Sequence, residues 1–244
     1  MRLDKFLANM QIGSRKEVKQ FIKKGTVTVN GTVVRSDKFQ VNEISDTIQF
    51  AGDVIRYQKY VYYLLHKPAG VISATVDNFE ETVVDLLTDD DFREDLFPVG
   101  RLDKDTEGLL LLTNDGAFAH RLLSPKKHVE KEYYAQVAGI MTEEDCQTFA
   151  KGMMIDGDEQ CLPASLTILA SDEAAQVSEI SLVLHEGKFH QVKRMVAAVG
   201  KEVTYLKRVR MGQLTLDPSL ALGDYRPLTM AEQQAVEQKG LPAS

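Results

Sequence analysis

Two stretches of this 244-residue chain carry side chains that could do chemistry. In VGRLDKDTEGLLLLTNDGAFAHRLLSP, Asp103, Asp105 and Glu107 place three carboxylates within five residues. Such a group could supply the acid and base of glycosidic-bond cleavage, or oxygen ligands for Mg²⁺. Carboxylates so close together in a loop need not converge on one centre, and solvated turn residues are the ordinary outcome of that spacing. The second stretch is HEGKFHQVKRMVAAVGKEVTYLKRVR. From Lys188 to Arg210 it holds seven basic residues, Lys188, Lys193, Arg194, Lys201, Lys207, Arg208 and Arg210, against one acid, Glu202. These cations could meet phosphate or balance a buried carboxylate, or they could be the solvated face of a core helix. Cys146 and Cys161 lack metal-ligand spacing and read as free thiols.

Elements that would position these groups can be read from periodicity. Leu109 to Thr113 reads as a buried strand after the polar loop bracketed by Gly100 and Gly108, and Asn114-Asp115-Gly116 as a tight turn into a helix. Further strands are expected in VYYLLHKPAGVISA, interrupted at Pro68 and Gly70 and then resumed, and at Tyr133 to Ala138, Glu179 to Leu184 and Val203 to Val209. Helical patterns lie at Thr82 to Leu87, Ala117 to Leu123, Glu143 to Lys151 and His190 to Val199. Strands and helices mix without βαβ alternation, which favours an α+β body over a doubly wound parallel sheet.

The N-terminal segment has a different texture. Leu3, Phe6 and Leu7 mark one amphipathic helix and Val18, Phe21 and Ile22 a second, with Ser14 and Glu17 placed as a capping box. Arg15, Lys16, Lys19 and Lys23 fall in a sector away from the apolar stripe. Gly25 ends the helix, and TVTVNGTVV predicts a hairpin turning at Asn30-Gly31. The chain as a whole has a net charge of -7, which by itself argues against a nucleic-acid-coating protein. Residues 1–59, however, carry eleven basic and six acidic side chains, a net +5, and the remainder carries -12. A basic module of residues 1–58 joined to an acidic body of residues 59–244 is therefore expected. At 43% hydrophobic and 27% charged, with no signal-peptide pattern and no apolar run near the roughly 20 residues a membrane span needs, the chain is expected to be globular, cytoplasmic and free of membrane contact.

The segment RLDKFLANMQIGSRKEVKQFIKKGTVTVNGTVV resembles an S4 domain. That resemblance implies binding of structured RNA by the two helices and the following turn, through Arg2, Lys5, Arg15, Lys16, Lys19, Lys23 and Lys24. GRLDKDTEGLLLLTNDG resembles the catalytic motif of the ribosomal-RNA pseudouridine synthases, with HKPAGVIS, EKEYYAQV and EGKFHQVKRM in the places of that family's other motifs. MRLDKF, SPKKHVEKEY and GDYRPLT are similar to the small-subunit type. His66 departs from the Asn more usual before Lys-Pro, at a packing or loop position.

The resemblance implies a small S4 domain followed by a mixed, mainly antiparallel sheet with flanking helices. It also implies an isomerase acting on 16S rRNA, at a target of the uridine 516 type, as naked RNA or a small-subunit assembly intermediate. No cofactor or metal is expected, and the protein is expected to be a monomer. Asp103 takes the role of the essential carboxylate, attacking C1′ or removing a C2′ proton. Lys193 becomes its positive partner, Arg101 a group that meets phosphate or opens the base stack, and Tyr133 the ring against uracil. Tyr134 would point to the other side of a strand. Lys188, Arg194, Lys207 and Arg208 are expected to add RNA contacts. A non-catalytic RNA-binding or ribosome-assembly factor, a synthase acting on large-subunit rRNA and a carboxylate-pair glycoside hydrolase are the competing readings.

Overall fold

A computed structural model of the chain describes residues 1–55 and 57–238, the side chain of Pro125 aside; Arg56, counted above in the basic segment, lies outside the described residues. Two compact units result, Met1–Val61 with Asp89–Asp95, and Tyr62–Thr88 with the chain from Leu96 onward.

In the first unit, α1 (Leu3–Asn9) and α2 (Arg15–Lys24) precede β1 (Val27–Val29), β2 (Thr32–Val33), β3 (Ile48–Phe50) and β4 (Asp53–Ile55), which pair in the order β2-β1-β3-β4. Ser14 and Glu17 form the reciprocal capping box at the start of α2, and Gly25 closes it in the left-handed conformation at φ 80°. Asn30 and Gly31 both have positive φ, as a two-residue hairpin turn between right-twisted strands requires. Leu3, Phe6, Leu7, Val18, Ile22 and Ile48 are buried together, so the apolar stripes of the two helices face the small sheet. The returning segment Asp89–Asp95 anchors through Arg93, whose buried guanidinium donates to the Gln58 carbonyl at 2.9 Å.

The second unit is a mixed sheet with flanking helices. Its elements are β5 (Tyr62–Lys67), β6 (Phe97–Pro98), β7 (Glu107–Thr113), α3 (Gly116–Leu123), β8 (Lys131–Ala138), α4 (Glu143–Lys151), β9 (Met154–Ile155), β10 (Glu159–Gln160), β11 (Ser165–Asp172), β12 (Val177–Leu184), α5 (Gln191–Ala198), β13 (Glu202–Met211), β14 (Leu214–Thr215), β15 (Tyr225–Pro227) and α6 (Met230–Ala235). The sheet path runs β11-β12-β8-β13-β7-β5-β15, antiparallel except where β13 meets β7. Leu109 to Leu112 of β7 are all buried, because this central strand is covered on both faces. Asp115 caps α3 by accepting from Ala117 and Phe118 N–H, and Thr142 with Asp145 forms a capping box for α4.

Two expected elements differ. Thr82 to Leu87 is a run of turns: Asp85 accepts from the Thr82 amide and hydroxyl, each at 2.8 Å, while Val83, Val84 and Leu87 turn inward. Six residues closed by a side chain in this way gain too few ladder bonds to sustain a helix. After Gly70 no strand resumes; only an isolated bridge joins Ile72 to Thr82. His66 sits buried in β5, with Nδ1 2.8 Å from the Leu220 carbonyl, so the departure from Asn falls on a packing position.

Candidate active site

Strand alternation sorts the chemistry of the second unit onto two faces. Lys131 and Tyr133 on β8, Leu184 on β12, and Leu206 and Arg208 on β13 all line a cavity of about 830 Å³. Cross-strand register places Tyr133 between Leu182 and Arg208. The alternate residues face away: Tyr134, Tyr205 and Lys207 line a groove on the other side of the sheet. Lys207 and Arg208, adjacent in sequence and grouped as RNA contacts by the motif resemblance, therefore lie on opposite faces.

The loop from Arg101 to Thr106 forms another wall of the cavity and contains Asp103. Its shape is imposed by the segment after β5. Ser73 Oγ donates to the Leu102 carbonyl at 2.9 Å and accepts from the Leu102 amide at 3.0 Å. Gly70 N–H donates to the Lys104 carbonyl at 2.8 Å. Lys67 is fully buried, and its ammonium donates to the carbonyls of Pro68, Lys104 and Thr106 at 2.9, 3.2 and 2.9 Å. Burial lowers this lysine to about 8, although Asp105, Asp103 and Glu107 all favour its charge. Where the loop enters β7, Gly108 has φ 107°, and a Cβ there would lie 2.2 Å from the Arg208 carbonyl oxygen. Only glycine permits this approach between β7 and β13.

The three carboxylates of the loop diverge. Asp103 faces the cavity, with Oδ2 3.3 Å from Lys193 Nζ and Oδ1 3.5 Å from His190 Nε2. Asp105, its side chain 71% exposed, takes the shorter contact with Lys193 at 2.6 Å. Glu107 accepts from the Tyr205 hydroxyl at 2.7 Å. Among the described residues no group of three acidic, His or Cys side chains is arranged to hold a metal ion. Burial opposes the charge of Lys193, yet the hydrogen bond to Asp105 and the field of Asp103 outweigh it and hold the ammonium above its ordinary value. The same hydrogen bond is the largest influence holding Asp105 below the usual carboxylate range. Lys193 is thus a stable cation shared by two aspartates, on the first turn of α5 beside the cavity.

Arg101 is exposed on the cavity lining and makes no ion pair among the described residues. Lys188 also lines the cavity, but its ammonium contacts Glu159 at 3.0 Å; Arg194 contacts Asp156 and Glu159 at 2.5 and 2.6 Å. In the first unit, Lys5, Arg15, Lys16, Lys23 and Lys24 are exposed without an ion pair among the described residues, whereas Arg2 pairs with Asp4 and Lys19 lies 3.9 Å from Asp37.

Asp103, paired to a lysine, and Tyr133 line one cavity of about 830 Å³. Residues 61–198, more than half of the chain, match the RNA pseudouridylate synthase family, and residues 1–48 match the S4 domain. The chain belongs to the RNA pseudouridine synthase family. It is 49% identical over 95% of its length to an uncharacterized RNA pseudouridine synthase of Bacillus subtilis, covering 96% of that protein. A ribosomal small subunit pseudouridine synthase A of Vibrio cholerae is 42% identical over 95% of this chain and 97% of its own. A ribosomal large subunit pseudouridine synthase B of Bacillus subtilis is 41% identical over 95% and 93%. A crystal structure of a pseudouridylate synthase superposes with a TM-score of 0.66 at 36% identity, covering 97% of this chain and 99% of that one.

Three synthase residues at or behind the cavity escaped the motif reading. His190 lies within HQVKRM, directly before α5, and its left-handed backbone at φ 48° sets its ring beside Asp103. Lys131 stands two residues before Tyr133, so the strand period alone places both on one face. Lys67 gives no such signal, because two of its three carbonyl partners lie 37 and 39 residues away.

Proposed function

We propose that the protein isomerises a uridine of small-subunit (16S) ribosomal RNA to pseudouridine, in the cytoplasm, on naked RNA or on an assembling particle. The observation that carries the reading is the Asp103 carboxylate, ion-paired to Lys193 and facing a cavity that Tyr133 lines. With the target nucleotide turned out of its stack, at a cost of a few kcal/mol, the Tyr133 ring covers the uracil and Asp103 reaches the ribose. The carboxylate either bonds to C1′ or takes a proton from C2′ as the N1–C1′ bond breaks; the base turns, C5 bonds to C1′ as the carboxylate leaves or returns the proton, and the C5 proton is lost while N1 gains one. Lys193, 3.3 Å from Asp103, is its positive partner in either role. Arg101, free on the lining, meets a phosphate or the gap left by the displaced base, and the exposed lysines of the N-terminal unit hold flanking RNA by its phosphates.

Support for the small-subunit target comes from the opening MRLDKF, from SPKKHVEKEY and GDYRPLT, and from the Vibrio relative. The Bacillus relative named for the large subunit favours a second reading, with the same chemistry on large-subunit RNA. Purified protein incubated with each rRNA, as naked transcript and as partly assembled particle, separates them. Pseudouridine at one small-subunit position is expected; conversion confined to large-subunit RNA would transfer the target, and conversion of neither would overturn the reading.

A further inference from the structure

Arg208 and Lys131 stand apart from the other cavity cations of the body. Arg208 is 2% exposed, its Nε donates to the Leu109 carbonyl at 2.8 Å, and its Nη2 is buried on the cavity wall without a hydrogen-bond partner. Lys131, on the neighbouring strand and the same wall, has a 3.2 Å contact to the Val129 carbonyl and no carboxylate within ion-pair distance among the described residues. Glu186, the one acid that favours the Lys131 charge, is engaged by the Leu162 amide and the Gln191 side chain, each at 2.8 Å. Burial and the charge of Arg208 together lower Lys131 to about 8. Two adjacent cations with an orphaned guanidinium N–H are costly unless an anion completes them.

Uridine enters neutral, so the anion must be either a backbone phosphate or a charge that the reaction creates. Phosphates are strongly hydrated and suit exposed Arg101; a cation pair set among Tyr133, Leu184 and Leu206 suits a planar anion whose charge is spread out. When N1–C1′ breaks, its electron pair stays on N1 and spreads over O2 and O4. C1′ is satisfied by a bond to Asp103 or by loss of the C2′ proton to it. The C5 electron pair then forms C5–C1′ as the C1′–O bond to Asp103 breaks, or as C2′ takes back its proton; the C5 proton departs to a base and N1 takes up a proton, so the product is an isomer of the substrate. Building on the functional reading above, we propose that Lys131 and Arg208 are catalytic residues that hold the detached uracil anion, donating hydrogen bonds to it and transferring no proton. Their stabilisation grows only as the glycosidic bond breaks, the condition for raising the rate of the chemical step.

Single-turnover cleavage of the N1–C1′ bond and RNA affinity, measured on one substrate carrying uridine or 5-fluorouridine at the target, test this; 5-fluorouridine has no C5 proton to lose, so bond cleavage is read on both bases. Lys131→Met is expected to slow uridine conversion by about 10²-fold while the dissociation constant changes by less than about threefold. Lys131→Arg should restore most of the rate, which a folding defect would not allow. Fluorine stabilises the uracil anion, so the Lys131→Met loss should shrink about tenfold on 5-fluorouridine. A loss in affinity with the saturated rate intact would make the pair a phosphate site and overturn the proposal, as would equal losses on both bases. Wild-type protein that converts no uridine would overturn the functional reading; a converting wild type matched by Lys131→Met would overturn this proposal alone.

Discussion

The two basic regions of the chain look alike in sequence and differ in what their charges do. On the N-terminal unit, Lys5, Arg15, Lys16, Lys23 and Lys24 project into solvent without carboxylate partners among the described residues. Between Lys188 and Arg210, by contrast, five of the seven cations are tied down: Lys188 and Arg194 to Glu159, Lys193 to two aspartates, Lys201 to Asp145, and Arg210 to Glu130 and Glu132. Free surface cations release counterions when they meet phosphate, whereas paired ones must first give up a carboxylate. On the proposed function, the cations of the first region are free to meet RNA phosphates, whereas most of those of the second are engaged by carboxylates of their own unit.

That contrast can be broken or sharpened by substitution. The largest effect is expected from Lys193→Met, which leaves Asp103 and Asp105 without their shared cation. Single-turnover rate should fall by about 10²-fold or more with RNA affinity nearly unchanged, and a loss confined to affinity would place Lys193 with the RNA-gripping residues instead. Next, reversing Lys16, Lys19 and Lys23 to Glu should weaken RNA binding by roughly 10- to 100-fold and flatten its salt dependence by about three phosphate contacts. The rate at saturating RNA should survive. Lys188→Ala with Arg194→Ala should change affinity by less than about threefold with an unaltered salt slope; a slope change matching the N-terminal variant would erase the distinction between the regions.

The smallest effect concerns stability. Arg226, 2.6 Å from Glu232, is the main cause holding that carboxyl down at about 2, against an ordinary 4.5. A lowered folded-state value means stability that is present above about pH 4.5 and lost as pH falls toward 2. Arg226→Met should accordingly lower the melting temperature by a few degrees at pH 7, with the gap closing as pH falls toward 2. A gap constant across that range would exclude the ion pair as its source.

Much of the scaffold was legible because its signals are local. The Ser14 and Glu17 box, the Asn30-Gly31 turn, the Glu143 to Lys151 helix and the four strands that carry or flank the site follow from neighbours within a few residues. Opposite orientations for Tyr133 and Tyr134 followed from the same strand period. Failures arose where the deciding partner was remote or the segment too short. Thr82 to Leu87 has a helical spacing of apolar residues, but Asp85 folds it into turns. Asp89–Asp95 falls in the body expected from residue 59 onward, whereas the contacts of Arg93 with Gln58 and of Gln11 with Phe92 tie it to the N-terminal unit. Charge was the least legible property. Glu159, which pairs with Lys188 and Arg194, and Asp103 and Asp105, which pair with Lys193, lie 29 to 90 residues away, so a basic count could not separate free cations from engaged ones.

Asp103 is the residue on which the functional account turns, and a nucleotide-resolved map of pseudouridine in rRNA tests it most directly. Cells lacking the protein should lose modification at one small-subunit uridine and regain it on re-expression of the wild-type chain. Asp103→Asn, expressed at the same level and equally able to bind RNA, should leave that position as uridine. Restoration of the modification by Asp103→Asn, or a map that never changes, would contradict the account.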